Sequence, residues 1–279
     1  MTNSHVAEPA QSIQTVNHPE TLLDRLSAIG QSLSLRPRAR ALLGLGSVGQ
    51  ARDRLDAYSD LDFFAVVQAG SKQSFLNDLS WLSDIAPVTY CFQNTPDGFK
   101  LLYADGIFCE FAVFEEPEMD TAVYTPGSIV WKAEGVDPAI AIPKVPPPAL
   151  NDKETDWLIG EALTNLYVGL MRDHRGEHLS AMRFIQSFAV DRAINLFDQS
   201  SANTDKGQDP FNPERRLEQR LPELGPLLPD MMQGYLNNRP SALAILSLLN
   251  QHFSLPEGMV REIQTLCRPD TASPHFVTD

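Results

Sequence analysis

Five prolines, Pro138, Pro143, Pro146, Pro147 and Pro148, fall within a short stretch, and they constrain the fold more than any other feature of the chain. Proline locks φ and lacks the N–H that a helix or strand interior needs, so no regular element runs through this cluster. The chain is therefore expected to fold as two domains, residues 1–145 and 146–279. With 279 residues and 43% hydrophobic content, each half has enough apolar material for a core of its own.

Upstream of the prolines, helical and extended patterns alternate. Leu22, Leu23, Leu26 and Ile29 recur at helical spacing between Pro19 and Leu33, with Gly30 near the helix end. The apolar run Ala39 to Leu45, closed by Gly46-Ser47, predicts a strand, and a second strand is predicted from Leu61 to Val67 with one short helix between them. Ser71 to Leu82 reads as an amphipathic helix carrying Phe75, Leu79 and Leu82. Further strands are expected at Pro87 to Phe92, Phe99 to Tyr103 and Ile107 to Phe114. Asn94-Thr95-Pro96-Asp97-Gly98 and Asp105-Gly106 supply the turns between them.

Downstream, Asn151 or Asp152 is expected to cap a long helix that packs through Trp157, Ala162, Leu166 and Gly169. A second helix is expected from Leu179 to Phe197, then a polar, turn-rich stretch from Ser200 to Pro213, then short helices around Pro222, Pro226, Pro229 and Pro240. The fold class is thus α+β: a small mixed β-sheet with flanking helices, followed by a helical bundle.

Chemistry concentrates between the first two strands. Side chains alternate along a strand, so Asp60 and Asp62 project from one face and can chelate one hard cation, while Leu61 points the other way. The low-bulk Gly46-Ser47 turn can offer N–H groups and a hydroxyl to phosphate oxygens, the more so if a helix begins at Val48. Glu110 is a third acid inside the apolar run Ile107 to Phe114, where an unpaired carboxylate is costly unless a cation satisfies it. A turn, two acids and a later acid are complementary to a nucleoside triphosphate bound through magnesium.

Charge and cysteine usage narrow the classes. A net charge of −14 and a pI near 4.8 argue against nucleic acid and against anionic membranes as partners, and suit a small or cationic substrate. Cys91, Cys109 and Cys267 show neither CxxC spacing nor an even set, so three buried thiols are expected and not a disulfide framework or zinc site. The first residues lack a basic start followed by an apolar run, and a cytoplasmic location is the expectation.

Residues 44 to 114 resemble the nucleotidyltransferase superfamily that includes DNA polymerase beta, whose pattern is Gly-Ser, then Asp-x-Asp, then a later acid. The Tyr58 to Asp62 turn and Glu110-Phe111 are similar to the antibiotic nucleotidyltransferases, particularly the lincosamide and aminoglycoside types; Arg175-Gly176-Glu177 and the run Pro213 to Glu218 add softer matches. The resemblance implies that Asp60, Asp62 and Glu110 bind magnesium and carry catalysis. It further implies that Gly46, Ser47, Arg52, Ser59 and Arg175 contact the NTP, expected to be ATP, and that the helical domain contributes to the acceptor pocket. A nucleoside monophosphate would pass to a hydroxyl of a small molecule, with release of pyrophosphate, in a homodimer. Two alternatives stand beside this: modification of a protein hydroxyl, and a non-catalytic nucleotide-binding module.

Other residues invite a plainer account. Glu177, with His174 and His178 nearby, is a candidate acceptor-side base or an exposed interhelical turn. Arg215, Arg216 and Arg220 read as a solvated face, and Trp81, Trp131 and Trp157 as core or acceptor-pocket residues.

Overall fold

A computed structural model of the chain describes residues 19–149, 153–200 and 208–268. The chain divides into two compact units, Met1–Pro147 and Pro148–Asp279.

The first unit is built on a six-stranded sheet. Helix α1 (Pro19–Ser34) starts on proline, where the missing N–H is harmless, and buries Leu22, Leu26, Ile29 and Leu33 along one stripe. Gly30 lets it approach closely, because a Cβ there would lie 3.2 Å from Val130 and 3.3 Å from Trp131. The strands are β1 (Ala39–Gly44), β2 (Leu61–Val67), β3 (Val88–Gln93), β4 (Gly98–Tyr103), β5 (Phe108–Glu115) and β6 (Ser128–Lys132), in the order β3-β4-β5-β2-β1-β6. β2 and β5 are parallel; the other neighbouring pairs are antiparallel. Edge strand β6, beside β1, is an element that the apolar spacing alone did not single out.

The predicted helix Ser71 to Leu82 is instead two pieces, α2 (Lys72–Asn77) and α3 (Ser80–Ser83). The break is at Asp78, whose backbone is extended and whose carboxylate accepts from the Ser80 N–H at 2.9 Å. That local bond competes with helix continuation. Phe75, Leu76, Trp81 and Leu82 are nonetheless all buried.

Central strand β2 is covered on both faces. Leu61, Phe63, Ala65 and Val67 join the core beneath α1 and α3, while Val66, with Ala41, Leu43, Met119 and Tyr124, forms a smaller core on the other face. Phe63 stacks on Phe111 with centroids 5.1 Å apart, and Trp81 meets both edge-on. Such aromatic pairs each add about 0.5–1.5 kcal/mol beyond area burial, and here they brace the ends of β2 and β5.

The second unit is helical. α4 (Thr155–His174) buries Leu158, Ala162, Leu166 and Leu170, but Trp157 is exposed, so the packed face is rotated from the predicted one. Glu154 occupies the N-cap; Asn151 and Asp152 lie outside the described residues, as does part of the polar stretch after Ser200. The next helical run is continuous in three segments, α5 (His178–Arg183), a π-helical stretch (Phe184–Ala189) and α6 (Val190–Ser200). α4 and the π-helical stretch meet at Gly169, where a Cβ would lie 2.6 Å from Ile185. The short helices α7 (Leu217–Arg220) and α8 (Leu228–Met231) precede α9 (Asn238–His252) and α10 (Glu257–Leu266), which complete the core through residues such as Ile245, Leu249 and Ile263. Among the described residues no helix is long and apolar enough to cross a membrane.

Of the three cysteines, Cys109 and Cys267 are buried as expected; Cys91 is exposed on edge strand β3, where its neighbours on both faces are exposed as well.

Candidate active site

At one end of the sheet, pairing aligns four side chains on one face. Asp62 pairs with Glu110 across parallel β2 and β5, Glu110 pairs with Lys100 across β5 and β4, and Lys100 pairs with Phe92 on β3. Directly opposed residues on neighbouring strands share a face. Asp60 lies just before β2, two residues from Asp62.

The loop after β1 abuts this row because the Leu45 N–H donates to the Asp62 carbonyl at 2.8 Å. In place of the predicted short helix there are two 3-10 turns, Gly46–Val48 and Arg52–Arg54. The N–H groups of Gly49 and Ala51 both converge on the Gly46 carbonyl, at 3.1 Å each, and that convergence folds the chain back before a helix can propagate. Gly46 itself has φ +51, the left-handed region that suits glycine. A Cβ built on it would lie 3.4 Å from Oδ2 of Asp62 and 3.9 Å from Nη2 of Arg54. A small position thus lies within 4 Å of both a carboxylate and a guanidinium. Ser47 is buried beside it.

Arg52, expected to contact the NTP, and Arg54 lie in the same 3-10 turn. Arg52 donates through Nε to the Gly49 carbonyl at 3.1 Å and serves the loop, whereas Arg54 reaches the Gly46 position. A basic residue two positions from the expected one was visible in the sequence; the turn that selects between them was not. The Ser59 hydroxyl also serves the loop, accepting from the Asp56 N–H at 3.0 Å.

Glu110 is not an orphan acid. Its Oε2 lies 3.2 Å from the Lys100 ammonium and its Oε1 accepts from the Asn94 amide at 3.2 Å. It sits on an interior strand, yet its side chain is 43% exposed, so the cost expected of a buried unpaired carboxylate does not arise. Among the described residues no three His, Cys, Asp or Glu side chains are gathered tightly enough to hold a metal ion. The donor set of Asp60, Asp62 and Glu110 is all oxygen, as a hard divalent cation requires, and Asp62 and Glu110 are cross-strand partners. The Glu110 side chain stands committed elsewhere. Beneath the row, burial first of all holds the Cys109 thiol well above its ordinary range; Arg25 opposes this, and Asp60 and Asp62 add to it. A neutral thiol is what the neighbouring acids tolerate.

In the second unit, Asp173 rather than Glu177 is the organising acid. It accepts from His178 Nδ1 at 2.8 Å, Asn238 at 2.9 Å and Arg239 Nε at 3.3 Å, tying the end of α4 to α5 and α9. Burial works against its charge, but these hydrogen bonds hold its carboxyl below the usual range. Arg175 is exposed, donates to the Met171 carbonyl and lies 3.8 Å from Glu177. Arg220 departs from the solvated face expected of it, pairing with buried Asp198 and donating to the Pro213 carbonyl at 2.6 Å. A cleft of about 600 Å³ carries Val190, Ile194 and Leu217 alongside Asp191, Glu214 and Glu218. Desolvation within it pushes the Asp191 carboxyl up, Arg192 pulls it down, and Glu214 adds to the rise.

The chain matches no family model and no curated protein sequence. Among solved structures, it is similar to an aminoglycoside 6-adenyltransferase from Bacillus subtilis, with 11% identity over 89% of this chain and 98% of that one, at a TM-score of 0.36. A STING-associated c-di-GMP synthase from Capnocytophaga granulosa is 11% identical over 91% of this chain and 83% of its own, at 0.27. A CD-NTase from Bradyrhizobium diazoefficiens, in complex with GTP, is 14% identical over 85% of this chain and 96% of its own, at 0.29. At such scores and identities, the chemistry of this chain rests on its own residues.

Proposed function

We infer that the chain is a nucleotidyltransferase that moves a nucleoside monophosphate from an NTP, ATP in the first instance, to a hydroxyl of a small molecule. The observation that carries this reading is the row in which Asp62 pairs with Glu110, with Asp60 beside them and the bare Gly46 position against the Asp62 carboxylate.

Asp60 and Asp62, joined by Glu110, would hold the divalent ion. When bound, magnesium supplies charge neutralisation for the triphosphate and acidifies the attacking hydroxyl. Gly46 leaves room for a phosphate oxygen to approach the backbone, and Arg54, within 4 Å of that position, offers positive charge to it. The acceptor oxygen bonds to the α-phosphorus, the bond to the oxygen bridging to the β-phosphorus breaks, the acceptor proton passes to solvent, and pyrophosphate leaves with the bonding pair. The cleft in the second unit is of small-molecule size, and its apolar wall and carboxylates suit a cationic or polyhydroxylated compound such as an aminoglycoside or lincosamide.

Pyrophosphate release is the direct test, with ATP, magnesium and a panel of aminoglycoside, lincosamide and simple polyol acceptors. Turnover that needs both metal and acceptor supports the reading; no turnover on any acceptor with any NTP, despite NTP binding, sinks it. A second reading, a nucleotide-binding module without catalysis, draws on the engagement of Glu110 by Lys100 and Asn94. Calorimetry showing NTP binding that is indifferent to magnesium would favour it.

A further inference from the structure

The acid expected to complete the metal site is already paired with a cation. Lys100 and Glu110 face each other across β4 and β5, their charged atoms are 3.2 Å apart, and both side chains are about two-fifths exposed, at 40% and 43%. Asn94 takes the other carboxylate oxygen. A divalent cation needs at least one of those oxygens, and a site holding Asp60, Asp62 and Glu110 without a metal needs some positive charge against mutual repulsion. At Glu110, Lys100 supplies that charge and competes for the oxygen a metal would take.

We propose that Lys100 is the resident counter-ion of Glu110, and that a divalent cation recruits Glu110 only by displacing it, so that Lys100 sets the metal affinity of the resting protein. The proposal rests on the nucleotidyltransferase reading and accords with the finding that no three acids among the described residues are gathered around a metal position. An exposed pair of this kind is held weakly enough for exchange. The long lysine stem can carry the ammonium aside with little disturbance of the strand. Lys100 acts through Glu110 and is therefore a positioning residue.

The test is Mn2+ binding to the full-length protein without nucleotide, measured by calorimetry. Lys100→Gln removes the competing charge and is expected to raise Mn2+ affinity on the order of threefold to tenfold, from the loss of an ion pair and of one positive charge near the metal. Lys100→Arg keeps the charge and should leave affinity close to wild type. Lys132→Gln, at the far end of β6 from the acidic row, controls for net charge and should change nothing. Glu110→Gln added to Lys100→Gln should abolish the gain. If Lys100→Gln binds Mn2+ no more tightly than wild type while Asp62→Asn still loses binding, the counter-ion proposal is overturned and the metal site stands. If neither wild type nor Lys100→Gln binds Mn2+, both fall.

Discussion

Gly46→Ala separates the shape of the phosphate cradle from the stability of the unit that holds it. Residue 46 has φ +51, and an L-residue held there costs roughly 1–2 kcal/mol. The new methyl would meet Oδ2 of Asp62 at 3.4 Å, an ordinary contact, so little clash adds to that cost. For a unit of roughly 150 residues, the penalty corresponds to a fall in Tm of about 3–8 °C, and the protein stays folded at 25 °C. The functional effect is larger, because the methyl occupies the position beside Asp62 and Arg54 that the proposed function gives to a phosphate oxygen. An anion excluded from it is displaced by about 1 Å, a misplacement that can reduce kcat/KM roughly hundredfold. Gly70→Ala is the matched control: φ there is +77 and a Cβ would meet nothing within 4 Å, so the strain recurs without the obstruction. Thermal unfolding and pyrophosphate release, measured on both variants, give the comparison. Equal losses of Tm with unequal losses of activity are expected. A Gly46→Ala protein that destabilises like Gly70→Ala and turns over like wild type would refute the cradle.

Asp60→Asn and Asp62→Asn should each lower turnover by about two orders of magnitude or more, since each removes a charged metal ligand worth several kcal/mol in the transition state; unchanged circular dichroism would confirm the fold, and full activity in either would discard the ligand assignment. Asp173→Asn should destabilise the protein by about 2–3 kcal/mol at pH 7, because a nearly buried acceptor of three hydrogen bonds loses its charge. The folded pKa of Asp173 is depressed, so its contribution is present above the ordinary value of 3.8 and is lost as pH falls through the lower folded value. Urea midpoints of wild type and variant should accordingly converge as pH falls below 3.8 and through the lower folded value, and a gap that stays constant across pH would contradict the assignment. Gly169→Ala should destabilise by about 1–2 kcal/mol, because a methyl 2.6 Å from Ile185 forces a shift that the gain in helix propensity only partly offsets; a raised Tm would show that α4 and the π-helical stretch can separate freely.

Legibility followed the range of the interaction. β2 begins and ends where its apolar run does, Leu61–Val67, because that run is buried on both faces. α2 and α3 parted at Asp78 because one side-chain bond to the Ser80 N–H outweighed a helical period that was present in the apolar residues. Arg54 rather than Arg52 approaches Gly46 because backbone bonds inside residues 46–55 decide which arginine turns inward, and no periodicity encodes them.

The Lys100–Glu110 pair shows a different failure, since its signal was present. Asp105-Gly106 is a tight-turn dipeptide between two strands, and in such a hairpin, residues equidistant from the turn oppose each other. The reversal spans residues 104–106 and centres on Asp105, with the Tyr103 N–H donating to the Ile107 carbonyl, so Lys100, five before that centre, and Glu110, five after, are cross-strand partners. Judged within its own strand, Glu110 was an acid without a partner that called for a metal. Judged across the hairpin, it has a lysine at the matching position, which turns the expectation of a standing metal cage into one of cation exchange. The pairing of Asp62 with Glu110, by contrast, joins parallel strands separated by two others in sequence, and that contact depends on the sheet order β5-β2-β1 that no local pattern carries. The acids of this site are thus local features, while their convergence belongs to the sheet.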